Sequence, residues 1–81
     1  MYKRITFMPK LPRIKPKQLI KALKKADFIL DHTTGSHYFF TKDSCSYPIT
    51  VPFHNKDLKL GTLSAILKQA KISVQELIDL L

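Results

Sequence analysis

The amino-acid sequence predicts an α+β domain: a three-stranded antiparallel sheet with helices over one face. Three observations predict it. Apolar residues recur at helical spacing near both ends of the chain, at Leu19, Ile20, Leu23 and Ala26 and again at Leu63, Ile66, Leu67 and Ala70. Between these stretches lie three short segments rich in β-branched and aromatic residues, separated by turn and loop residues. The chain has 81 residues and is 44% hydrophobic, enough for one domain with a thin core and too apolar for wholesale disorder.

Each element can be justified in order. Residues 1–15 carry Pro9 and Pro12 among bases and read as an extended basic arm, with the domain proper over residues 16–81. Met8 offers a second plausible start. Pro16 suits the first turn of a helix, where its missing N–H costs nothing. Lys17, Lys21, Lys24 and Lys25 lie off the apolar stripe of that helix. Residues 28–33 (FILDHT) read as a strand, Thr34-Gly35 as a turn with Gly35 at positive φ, and residues 36–41 (SHYFFT) as the returning strand. Lys42 to Ser46 form a polar loop. Residues 47–53 (YPITVPF) form a third strand, and Pro48 and Pro52 place it at an edge because proline cannot donate to a ladder.

After a polar connection from His54 to Leu60, Gly61-Thr62 opens a second helix. Ser73 and Glu76 match a capping box for a third, and Ile72 with Leu77 match a hydrophobic staple. The order is α-β-β-β-α-α, without an internal repeat. One face of so small a sheet must be covered, and the helices are the only cover available. The result is a sandwich of the double-stranded-RNA-binding-domain type.

Composition excludes several function classes. No apolar run approaches the roughly 20 residues of a membrane helix, and the first 16 residues lack the apolar block of a secretory signal. Cys45 is the only cysteine, so neither an internal disulfide nor a four-cysteine zinc site is possible. A soluble cytoplasmic protein is expected. The net charge is +8, and residues 1–26 hold nine of the 14 bases and none of the six acids. That imbalance points to a polyanionic partner, nucleic acid or an acidic protein. Lys17–Lys21 and Lys21–Lys25 are like-charge pairs one turn apart, each costing roughly 0.2–0.5 kcal/mol in an isolated helix. A helix serving solubility alone would usually mix signs, although a solvated lysine face is the plainer reading.

Few residues can carry chemistry. Gly35 and Gly61 are the only glycines, so a glycine-rich nucleotide loop is absent. His32, His37, His54 and Cys45 match no zinc spacing, and no metal or cofactor is expected. Cys45, in a polar loop, reads as an incidental thiol. Catalysis would then rest on histidine. His37 is the best candidate, at the mouth of a hairpin directly after Gly35-Ser36. Strand parity groups His37 with Phe39 and Thr41 against Tyr38 and Phe40, and both sets contain an aromatic, so parity leaves the wet face open. A partly packed structural histidine fits the spacing as well as a catalytic one. His32 reads as a structural or solvent-exposed strand-end residue. His54, in a loop, is a possible secondary site that could touch a phosphate.

Three stretches carry a family resemblance: LPRIKPKQLIKALKKADF, TTGSHYFF and ITVPFHNKDLKLGTLSAILKQAKISVQELIDLL. Together they resemble the HicA (YcfA-like) toxins over about residues 9–81. The most specific parts are Gly35-Ser36-His37 between two strands and the VPFHNKDLKLGTL stretch. Asp27 departs from the family, many members of which have glycine there to end the first helix.

The resemblance implies an mRNA endonuclease of a toxin–antitoxin system, without a metal, neutralised by a HicB-like antitoxin. It implies that His37 is catalytic, with Gly35 and Ser36 supporting it. The antitoxin is expected to cover the histidine and the basic surface, and the free toxin to be a monomer. In the mechanism these residues suggest, His37 transfers a proton while Lys17, Lys21 and Lys24, with Lys25 beside them, hold single-stranded RNA. Two other readings stay open from the residues. A non-catalytic RNA-binding module needs the lysines but not His37. A protein-binding domain would use the basic arm and the edge strand.

Overall fold

The computed structural model describes residues 10–43 and 47–81. The expectations for Met8, for most of the arm and for Cys45 lie outside the described residues. The element order is α1 (Pro16–Lys25), β1 (Ile29–Thr34), β2 (His37–Thr41), β3 (Ile49–Pro52), α2 (Leu60–Ala70) and α3 (Val74–Leu80). This is the α-β-β-β-α-α order expected, with each boundary within one or two residues. The strands form one antiparallel sheet in the order β1-β2-β3. β3 is therefore an edge strand, as Pro52 within it and Pro48 just before it require.

α1 begins with Pro16 at its first position, and the Gln18 side chain accepts from the Lys15 backbone N–H at 2.9 Å. Its buried side is Pro16, Leu19, Ala22 and Leu23. Ala22 thus takes the place in the core that the sequence pattern gave to Ala26, which is half-buried with Ile20 against the core's margin. Helical periodicity allows both alanines, and the crossing of α1 over the sheet selects between them.

The helix ends at Asp27, whose φ is +71°. The Phe28 N–H donates to the Leu23 carbonyl at 2.9 Å and the Asp27 N–H to the Lys24 carbonyl at 3.1 Å. These two bonds make a Schellman cap, which needs a left-handed residue at this place. Asp27 tolerates it, since a short polar side chain suffers less there than most. α2 ends the same way: Lys71 has φ +58°, and the Ile72 N–H reaches the Leu67 carbonyl at 3.0 Å.

The core lies between the sheet and the helices. Leu19, Leu23, Phe40, Val51, Leu63 and Leu77 are fully buried, joined by Ile49, Leu58, Ile66 and others. Each such side chain contributes about 1.5–3 kcal/mol of burial. The end of the N-terminal segment joins in: Ile14 is buried, and its carbonyl accepts from the Leu58 N–H at 2.8 Å. α3 starts at the expected capping box, with the Ser73 Oγ accepting from the Glu76 N–H at 3.0 Å and the Glu76 carboxylate from the Ser73 N–H at 2.8 Å. Those bonds to Ser73 hold the Glu76 pKa below the usual glutamate range. Its contribution is present above the ordinary glutamate pKa and lost as pH falls through the lowered one.

The cap of α1 gives a stability prediction. Asp27→Gly removes a left-handed non-glycine residue and a negative charge at a helix C-terminus, so it should stabilise the fold by about 1 kcal/mol. Thermal unfolding should show this as a Tm rise of roughly 4–8 °C. An unchanged or lower Tm would show that Asp27 is not strained.

Candidate active site

The turn between β1 and β2 has two residues, Gly35 and Ser36, with Thr34 and His37 paired on either side. Gly35 has φ +57° and is the only residue of this turn with positive φ. A glycine first in a two-residue hairpin loop is the arrangement that matches strand twist. A Cβ added to Gly35 would meet nothing within 4 Å. The glycine is therefore required by backbone conformation and not by space.

β2 is the central strand and settles the parity left open above. Tyr38 and Phe40 lie on the covered face, opposite Val51 and Ile49 of β3. Phe40 is fully buried, and Tyr38 packs against the core and against the Phe53 ring at 4.7 Å. His37 and Phe39 lie on the other face, which no described helix covers. His37 is exposed, opposite Thr34 on one side and Pro52 on the other. Its ring makes no hydrogen bond among the described residues. Its backbone is held by its neighbours: the Phe53 N–H donates to the Ser36 carbonyl at 2.6 Å, extending the β2–β3 ladder past Pro52.

β1 contains an irregularity that sequence reasoning missed. The register runs Leu30 opposite Phe40, then His32 opposite Phe39, so Asp31 is an extra residue in a β-bulge. Simple alternation from Leu30 would turn His32 toward the covered face. The extra residue turns it onto the bare face instead. There its ring stacks on Phe39, with centroids 4.3 Å apart and planes within 7°. Its Nδ1 lies 2.6 Å from the Asp31 carboxylate, and both side chains are about half exposed. This is the only ion pair among the described residues. His32 is thus solvent-exposed, one of the two readings above, and sits inside β1, not at its end. The signal available in the sequence was Asp31-His32 itself, a carboxylate adjacent to an imidazole.

The other predicted residues are more scattered. His54 follows Phe53, and its Nδ1 accepts from the Lys56 backbone N–H at 3.3 Å, tying the ring to its own loop. Lys17, Lys21 and Lys24 are exposed and fall on one stripe of α1, at i, i+4 and i+7. Lys25 turns elsewhere: its amine donates to the Leu80 carbonyl at 3.0 Å, at the end of α3. The structure does not bring the lysine stripe and His37 onto one face, because α1 packs on the covered side of the sheet. They are linked around its end. The chain from Phe53, bonded to Ser36, reaches Leu58, bonded to Ile14 just before α1. Five residues span at most about 17 Å, so this connection ties the hairpin end of the sheet to the residues just before α1. Lys56 and Lys59 are exposed on this connection. No three of histidine, cysteine, aspartate and glutamate gather among the described residues. No described helix is long and apolar enough to cross a membrane.

A small α+β domain with a histidine on a hairpin, a lysine-striped first helix and a bare sheet face is the class these observations define. Comparison with protein families refines it: the model of the HicA toxins, described as the HicA toxin of bacterial toxin–antitoxin systems, matches residues 16–72. The chain belongs to the HicA toxin family. A search of curated proteins finds no match.

The turn gives a test of what holds His37 in place. Gly35→Ala keeps the space but places a side chain at positive φ, and should cost about 1–2 kcal/mol. Chemical denaturation checks this, and a loss near zero would mean that the turn relaxes without strain.

Proposed function

We propose that this protein is a metal-independent endoribonuclease toxin that cuts mRNA and is held inactive by a HicB-like antitoxin. The observation that carries the reading is His37, exposed on the bare sheet face at a hairpin fixed by Gly35 and Ser36, in a member of the HicA toxin family. The working domain is residues 16–81, with residues 1–15 as a basic arm. The protein acts in the cytoplasm and is a monomer when free.

The chemistry needs little apparatus. RNA carries its own nucleophile, the 2′-OH. Cleavage requires removal of that proton, stabilisation of the charge on the phosphorane and protonation of the leaving oxygen. His37 takes the first role, and proton transfer of this kind is worth typically 10²–10⁴-fold. Lysine ammonium groups stabilise phosphate charge electrostatically. Lys17, Lys21 and Lys24 hold the strand on α1, and it continues past Lys56 and Lys59 around the end of the sheet to His37. Lys25, engaged with Leu80, contributes less. A HicB-like partner that covers the bare face blocks the same path.

Two outcomes are expected. His37→Ala should lower RNA cleavage by roughly 10²–10⁴-fold and relieve growth arrest on induction, with RNA affinity unchanged. Growth arrest that persists with intact mRNA would replace cleavage by sequestration. Lys17, Lys21 and Lys24 changed together to Gln should reduce the slope of log K against log salt by about 2, at roughly 0.7 per phosphate contact for a single strand. An unchanged slope would mean that this face is only solvated.

A further inference from the structure

A lone histidine cannot remove the 2′-OH proton and protonate the leaving oxygen in one step. The bare face of the sheet holds a second imidazole. His32 is opposite Phe39, and His37 is two residues from Phe39 along β2 on the same face. Such diagonal neighbours stand about 7–8 Å apart in a pleated sheet. That is a backbone separation, within reach of two ring side chains, so both imidazoles can contact one phosphate by hydrogen bonds of about 2.6–3.2 Å. Asp31, His32 and His37 are the only titratable side chains that the three strands place on this face.

We infer that His32 is the second catalytic residue of this site, held by Asp31 and Phe39 beside His37 so that the two imidazoles flank the scissile phosphate. The inference rests on the nuclease reading and deepens it. His37 takes the 2′-OH proton, and the 2′-oxygen forms a bond to phosphorus. The bond from phosphorus to the 5′-oxygen breaks, and that oxygen receives the proton from Nε2 of His32. The products are a 2′,3′-cyclic phosphate and a 5′-hydroxyl, and no electron acceptor or co-reactant is needed.

Three features support this role over that of an incidental strand residue. The bulge at Asp31 is what places His32 on the face of His37. The Asp31 carboxylate engages Nδ1, which fixes the tautomer and leaves Nε2 as the ring's unengaged nitrogen. When His32 carries a proton on both nitrogens, the carboxylate offsets the positive charge. The stack on Phe39 holds the ring parallel to the Phe39 ring, in one orientation. Asp31 is a positioning residue, acting only through His32.

The test uses the full chain and a single-stranded RNA oligomer in two forms. One has the natural linkage, and the other has sulfur in place of the 5′-oxygen at the cleaved bond, a leaving group that needs no proton. His32→Ala and His32→Phe are compared with wild type and His37→Ala. His32→Phe keeps an aromatic ring on Phe39, so it separates proton transfer from stacking. Both His32 variants should cleave the natural linkage about 10²–10⁴-fold more slowly and the sulfur linkage at nearly the wild-type rate. His37→Ala should be slow on both. Wild-type speed of His32→Phe on the natural linkage would reduce His32 to a stacking group and overturn the inference. Equal slowing of the His32 variants on both linkages would do the same, and both results leave the nuclease reading intact. No cleavage by wild type of either oligomer would overturn the nuclease reading, and this inference with it. For Asp31→Asn, the nitrogen chemical shifts of His32 should show the tautomer redistributing while those of His37 stay fixed. Unmoved His32 shifts would remove Asp31 from the site.

Discussion

The alternation of β2 is the constraint on which the rest depends. In a central strand, successive side chains must serve opposite faces. Phe40 and Tyr38 commit one face to the core, and the helices close over it. That leaves His37 and Phe39 together on the other face, with no further choice available. A slip of one residue would bury His37 and expose Phe40, at a cost of several kcal/mol from the phenylalanine alone. The core therefore enforces the exposure of the histidine.

A second constraint governs where charge and chemistry sit. The lysine stripe belongs to α1, and α1 must bury Leu19 and Leu23 against the covered side of the sheet. Helix and histidine cannot share a face in this topology. The connection from Phe53 to Leu58 runs from the hairpin end of the sheet, at Ser36, to Ile14 just before α1. A polyanion that uses both the lysines and the histidine has to wrap around that end. In the proposed function, electrostatic attraction and proton transfer fall on different surfaces of one small domain.

Most of the architecture was legible in the sequence because it depends on local signals. The helical stripes, Pro16, the Gly35 turn, Pro48 and Pro52 at β3 and the Ser73–Glu76 capping box all act within a few residues. Asp27 was legible too, as a departure from glycine whose left-handed conformation the structure shows. What could not be read depends on partners distant in the chain. The wet face of β2 needs Val51 and Ile49 opposite Tyr38 and Phe40. Ala22 replaces Ala26 in the core because of how α1 crosses the sheet. The bulge at Asp31 is visible only in the pairing of β1 with β2, so simple alternation misassigns His32. Lys25 looks like its neighbours until α3 folds back to offer it a carbonyl.

The bulge has one more consequence, for how the protein behaves among copies of itself. β1 is an outer strand of six residues, all exposed, and among the described residues its far side has no strand partner. A straight strand of that kind is a template for sheet growth between molecules. The extra residue at Asp31 bends the strand at its middle and breaks the even spacing of its backbone groups. It also sets a charged side chain there. A second chain can follow the edge for only two or three residues before it loses register. The same irregularity that orients an imidazole thus also blunts this sheet edge against pairing with another chain.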